Sequence, residues 1–204
     1  ACAPFRRLSL CNRNLEKIPT STTKHDLLVD VCMAAKYEGE SLKGYHEQYE
    51  VQYPSSGSSM CTMLARSFAD IGDIVRGRDL YGGNKKKEKL EENFKKYFQQ
   101  IHEELKRGDK TKEAEKHYQD TTNYSKLRED WWTANRHTVW KALTCDDRLA
   151  GASYFRATCD TGKGPSQAHD KCRCKDENGK SETDQVPTYF DYVPQYLRWF
   201  EEWA

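Results

Sequence analysis

The chain has 204 residues, of which 36% are hydrophobic, 32% charged and 12% aromatic. With 33 Lys and Arg against 32 Asp and Glu the formal net charge is +1, which excludes a globally basic nucleic-acid binder and an acidic tail protein. No apolar run approaches the ~18 residues needed to cross a bilayer, and the opening Ala1-Cys2-Ala3-Pro4-Phe5-Arg6-Arg7 lacks the apolar core of a signal peptide, so any membrane address or anchor is expected outside this segment.

Residues 1–20 read as irregular, with Pro4, Pro19 and two cysteines. Thr23 followed by Asp26 resembles a capping box. Leu27, Leu28, Val31, Cys32 and Ala35 then share one helical face, with Gly39 and Gly44 expected to punctuate its end. After Pro54-Ser55-Ser56-Gly57-Ser58 a second helix carries Met60, Leu64, Phe68 or Ile71, and Ile74 with Val75. Gly77 suits the position just past its C-terminus. Gly82-Gly83-Asn84 breaks the chain before its most regular stretch, 85–107, where Leu90, Phe94, Tyr97, Phe98, Ile101 and Leu105 form a narrow apolar seam on a charged helix.

Gly108-Asp109 ends that helix, and a Lys/Glu-rich link runs through Lys116. The next helix, Ser125 to Leu143, aligns Leu127, Trp131, Ala134, Thr138 and Val139, with Trp132 and Trp140 widening the face, so it belongs in the middle of a bundle. Residues 144–188 hold four cysteines and several glycines and read as a bridge-tied loop region. A last helix follows Pro187 and Pro194, with Tyr196, Leu197, Phe200 and Trp203. Its pattern still runs at Trp203 without a cap, so the segment is expected to continue in a longer protein. Alternating strand patterns are weak, and the class is mostly α.

Eight cysteines, Cys2, Cys11, Cys32, Cys61, Cys145, Cys159, Cys172 and Cys174, indicate an oxidised domain with up to four bridges of unspecified connectivity. Cys172 and Cys174 are too close to pair with each other, so each needs a different partner. His169 with Cys159, Cys172 and Cys174 also offers zinc-type ligands, but Cys-x-Cys suits a tetrahedral site poorly and bridges are the preferred reading. Enzyme motifs are incomplete. His102-Glu103-Glu104-Leu105-Lys106 lacks the second zinc-protease histidine, and Gly162-Lys163-Gly164 is not a phosphate loop. No cofactor is implied.

Lys85, Lys86, Lys87, Lys89, Lys95 and Lys96 outnumber Glu88, Glu91 and Glu92 within residues 85–96 and suit a sulfated or phosphorylated polyanion. The competing reading is a solvated face with Glu–Lys pairs. Arg156, Lys163, Lys171, Arg173 and Lys175 form a second, diluted basic group. Trp131 with Trp132, and Tyr189, Phe190, Tyr192 and Tyr196, read as core rather than as ligand-stacking pairs. Asn123-Tyr124-Ser125 is a glycosylation sequon.

Residues 65–79, from Ala65-Arg66-Ser67-Phe68-Ala69-Asp70-Ile71-Gly72-Asp73-Ile74-Val75-Arg76 to Asp79, resemble the opening tag motif of alpha-type Duffy-binding-like (DBL) domains. Pro194-Gln195-Tyr196-Leu197-Arg198-Trp199-Phe200-Glu201-Glu202-Trp203 resembles the closing one. Ala1 to Asn12, Asp26 to Cys32 and Arg128 to Arg136 look like further blocks of that family, the erythrocyte membrane protein 1 adhesins of the malaria parasite. The resemblance implies a mostly α, disulfide-bonded helical fold with long irregular loops, truncated before a third subdomain. Residues 1–58 would be a loop-rich first subdomain with one or two helices, and 59–204 a helical second one continuing beyond the C-terminus.

The resemblance also implies a non-enzymatic host receptor-binding module on the extracellular face of the infected erythrocyte, attached to the membrane only through its parent. Its partners would be a host receptor or glycan (heparan sulfate, a blood-group sugar or complement receptor) and antibodies, with no nucleic acid. The alternative is a structural, antibody-facing spacer beside a separate receptor-binding domain.

Overall fold

Helix α2, Lys24–Gln52, runs straight through the two glycines expected to stop it. The computed structural model describes residues 2–17, 24–52, 59–82, 85–107, 116–154, 156–160, 164–175 and 184–203; the Thr23 half of the expected capping box lies outside them. Leu27, Val31, Ala34, Ala35, Glu38 and Leu42 form one buried stripe along α2. Gly39 lies on it because a Cβ there would run into the Leu143 carbonyl oxygen. The missing side chain serves close packing, which overrides glycine's poor helix propensity.

Short α1 (Phe5–Leu8) precedes α2, and α3 (Met60–Arg76) and α4 (Lys85–Leu105) follow it. α3 is the central helix, buried on nearly every side. Its C-terminus closes as a Schellman motif: Gly77 is left-handed at φ 71°, its N–H reaches the Ile74 carbonyl, and the Arg78 N–H reaches the Asp73 carbonyl. Buried Arg128 completes the cap, donating to the carbonyls of Val75 and Ile74. On α4, Leu90, Phe94, Tyr97, Phe98 and Ile101 are buried as the spacing predicts, whereas Leu105, at the end of the expected seam, is exposed.

Helix α5, Ser125–Leu143, packs on α2 and α3. Trp132 and Trp140 are fully buried against Phe68, and Gly72 of α3 leaves room for the Trp132 ring. Trp131 packs at the edge of this core, against Phe98. The tryptophan pair is therefore structural, as its spacing suggests. Between α5 and the last helix the described residues are mostly irregular and include a short antiparallel pair, β1 (Cys159–Asp160) and β2 (Pro165–Ser166). Bridges Cys61–Cys172 and Cys159–Cys174 tie it down, giving Cys172 and Cys174 different partners.

Helix α6, Gln195–Trp203, is built inside out. Gln195, Arg198 and Trp199 are buried, whereas Tyr196, Leu197, Phe200 and Trp203 face outward, Phe200 at 72% exposure. Phe5 of α1 joins that outer face, its ring edge-on to Trp203. The expectation that Tyr189, Tyr192 and Tyr196 are core is thus corrected: of that cluster only Phe190 is buried. The polar residues of α6 turn inward because α3 offers them carboxylates.

Candidate functional site

Two acids and an arginine stand at three-residue spacing on α3: Asp70, Asp73 and Arg76, all buried. Arg198 of α6 donates to Asp70 at 2.9 Å and to Asp73 at 2.5 Å. Arg6 of α1 donates to Asp70 at 2.7 Å, to Ser67 at 2.9 Å and to Glu202. Gln195 and the Trp199 indole N–H also donate to Asp70. Arg76 donates to Asp73 and to the Asp191 carbonyl. Asp191 accepts from the Trp132 indole and from Arg136. Residues that look like family tags are thus turned towards one another, forming a seam between α1, α3, α5 and α6.

Burial alone would raise the Asp70 carboxyl pKa, but Arg6, Arg198 and the Gln195 amide together hold it below the usual range. At Asp73 burial wins and the pKa is raised, despite Arg198 and Arg76. Burial also raises Glu38, although the Ser67 hydroxyl and the Cys11 N–H donate to it. Such a seam adds little net stability against an apolar replacement, but losing one partner strands the others. No single residue on α3 announces this arrangement. The available signal is charge at i, i+3 and i+6 in a helix that is buried on nearly every side.

Bordering the seam, and lined in part by its Asp73, Asp191 and Gln195, is a cleft of about 240 Å³ between the loop 77–82 and the segment 189–196, with Leu80, Tyr192, Val193 and Tyr196 exposed around it and Arg78 among its lining residues. A polar groove of about 300 Å³ lies on the other side of the loop, between Arg7, Arg13, Glu16 and Tyr81. Here Arg7 is bound to Asp79 and lies 4.7 Å from the Tyr81 ring centre.

Of the six lysines, Lys89 and Lys96 are exposed and Lys95 half-buried, lining a groove with Glu91 and Asn123. Lys85, Lys86 and Lys87 open α4, but their side chains lie outside the described residues. Glu91 turns away to Arg128, and among the described residues Lys89, Lys95 and Lys96 form no ion pair, so the Glu–Lys lattice is not built. Of the second basic group, Arg173 donates to Thr144 and to the Lys141 carbonyl, Lys171 donates to Asp147, and Lys175 is half-buried. Arg156 stacks over Phe190, and Lys163 lies outside the described residues.

Of the eight cysteines, Cys61, Cys159, Cys172 and Cys174 are bridged, while Cys2, Cys11, Cys32 and Cys145 carry free thiols. Burial pushes the Cys32 thiol up to about 11. The zinc alternative fails because three of its four ligands are already in bridges. Among the described residues no cluster of His, Cys, Asp and Glu could hold a metal ion. His102, from the incomplete protease motif, is buried and bonded to the Tyr118 carbonyl. Asn123 is exposed, as a sequon asparagine must be. No described helix is long and apolar enough to cross a membrane.

A helical, bridge-tied body whose tag motifs interlock internally has the fold class of a Duffy-binding domain. A family model for the Duffy binding domain matches residues 1–198, and the chain belongs to that family. Among solved structures it is similar to the NTS-DBL1(alpha-1) domain of Plasmodium falciparum membrane protein 1 (PfEMP1) from the varO strain, at 45% identity and TM-score 0.77. That match covers 100% of this chain and 43% of the other. It is similar also to the PfEMP1 IT4var13 DBLbeta domain bound to ICAM-1, at 33% identity and TM-score 0.69, over 100% of this chain and 44% of that one. The P. falciparum erythrocyte binding antigen 140, at 22% identity, TM-score 0.54 and 98% of this chain against 24% of its own, shares the fold. The chain thus spans less than half the length of these matched chains. No curated protein matches it.

Proposed function

We propose that this chain is a non-catalytic module that binds a host cell-surface receptor, displayed on the outer face of the infected erythrocyte as part of a membrane-anchored antigen. One observation carries the reading. Most of the charged tag residues, Arg78 and Glu201 excepted, are used up inside the fold, so the seam holds a rigid body whose exposed tyrosines, Leu80 and lysine-bearing α4 remain for contact. Exposed aromatics and arginines on rigid backbone are the usual anchors of protein interfaces. That a similar DBLbeta domain is bound to ICAM-1 supports receptor binding as the role.

The division at residue 58 belongs to the same proposal, although one hydrophobic core draws on residues from both sides of it. The outward apolar face of α6 would then be covered by further polypeptide of the parent. The test is saturable binding of the oxidised chain to red-cell and endothelial surfaces, blocked by antibody to the folded domain. Non-saturable binding removes the adhesion role and leaves the spacer.

The unpaired Lys89, Lys95 and Lys96 favour an additional weak contact with sulfated glycans. Replacing all three with Ala is expected to lower the salt needed for elution from heparin. An unchanged elution salt removes the idea.

A further inference from the structure

The cleft between loop 77–82 and segment 189–196 is prepared from behind. The Tyr192 ring lies 5.2 Å from the Arg136 guanidinium and 5.9 Å from that of Arg76. Both arginines are fixed, Arg136 by Asp191 and the Thr188 carbonyl, Arg76 by Asp73 and the Asp191 carbonyl. Tyr192 is therefore backed by immobilised cations while much of its surface stays open. Leu80, Val193 and Tyr196 are exposed beside it. Leu80 is held in place by its own N–H, which donates to the Gln195 side chain at 2.6 Å. A surface set in advance loses little freedom on binding.

The polar lining says what the cleft takes. Asp73 and Asp191 are neutralised by Arg76, Arg136 and Arg198. The Gln195 amide donates to Asp70 and Asp79 while its oxygen accepts from Leu80. Among the lining side chains other than Arg78, only tyrosine hydroxyls are left to hold a sulfate or a ring of sugar hydroxyls. The exception is at the edge: Arg78, 59% exposed, uses one guanidinium nitrogen for Glu129 at 2.8 Å and turns its remaining donors to solvent. The volume, about 240 Å³, falls below the ~300 Å³ at which pockets begin to enclose whole small molecules, and suits one side chain.

We infer that this cleft is a protein-docking site, receiving one aliphatic side chain from a loop of a partner protein while an adjacent carboxylate of that loop pairs with Arg78. The inference rests on the adhesion reading and deepens it by naming the partner's chemistry. The probe is a cyclic hexapeptide displaying Leu next to Asp, titrated into the isotope-labelled, oxidised chain and followed by NMR. Shifts are expected at Leu80, Tyr192, Val193 and Tyr196. They should vanish with the Leu→Gly peptide and weaken about threefold with the Asp→Asn peptide or the R78E chain.

Tyr192→Ala should weaken binding about tenfold. Val193→Glu changes a side chain on the exposed rim and keeps the carbonyl that accepts from Arg198; it should abolish binding with the melting temperature unchanged, which separates a blocked cleft from a damaged fold. No shifts at millimolar peptide, equal shifts from the Gly control, or the same cleft shifts from heparin or a neutral disaccharide would overturn the inference. Peptide binding by a chain that attaches to no cell upholds the cleft and sinks the adhesion reading.

Discussion

Helices α4 and α6 are assembled in opposite senses. α4 turns Phe94, Tyr97 and Phe98 inward and leaves Lys89, Lys96 and Glu92 in water. α6 turns Gln195 and Arg198 inward with Trp199, and presents Leu197, Phe200 and Trp203 outward. The difference lies in what each helix meets. α4 meets apolar surface, including Leu127 and Trp131, in the common hydrophobic core. α6 meets the carboxylates of Asp70 and Asp73, which cannot stay charged and buried without cations. A helix's inward face is decided by its neighbour as much as by its own periodicity.

Two phenylalanines test the contrast most strongly. Phe94→Ala on α4 removes a fully buried ring and should cost about 3–5 kcal/mol. Phe200→Ala on α6 should change the stability of this chain by less than about 0.5 kcal/mol. Urea unfolding of both variants under oxidising conditions measures the pair, and equal losses would mean that α6 sits the other way round.

Asp70→Ala attacks the seam. It leaves Arg6 and Arg198 buried without their shared anion and should cost about 3–5 kcal/mol. It should also free α6 first, seen as faster amide exchange over 195–203 than over α4. Gly39→Ala should destabilise by about 1–3 kcal/mol, because the new methyl meets backbone at Leu143. A gain of stability, as helix propensity alone predicts, would show that the α2–α5 contact gives way.

The smallest effect is at the surface. Asp120 caps the turn before α5, accepting from the N–H groups of Asn123, Ser125 and Thr122, and its pKa falls to about 2. A depressed carboxyl contributes stability that is present above its unfolded value, near 4, and lost as pH falls towards 2. Asp120→Asn should therefore melt earlier than the parent chain at neutral pH, and the two should converge as pH drops from 4 to 2. A constant gap over that range would assign the loss to shape rather than charge.

Much of this is legible in the residues. The apolar seam of α4 is correct from Leu90 to Ile101, because α4 follows the simple rule of apolar inside, and fails only at Leu105, which is exposed at the helix end. Gly77 as a terminator and separate partners for Cys172 and Cys174 are equally readable, whereas the expected face of α5 is turned: Trp132 and Trp140 are buried, Trp131 is half-buried and Ala134 is exposed. Gly39 misleads, since a glycine required by a neighbouring carbonyl looks like one that breaks a helix. Tyr189, Tyr192 and Tyr196 mislead because their neighbours Asp191 and Arg198 occupy the interior instead. The cleft beside Leu80 joins segments more than a hundred positions apart, and no local pattern encodes that meeting.

The Cys61–Cys172 bond spans 111 positions and so closes a covalent ring holding α3, α4 and α5. A protease that nicks the chain once between those sulfurs leaves both fragments attached. The cut molecule would travel as one species on a non-reducing gel and part only when thiol is added. Shedding that stretch of surface from the molecule would take a second cut or a reductant.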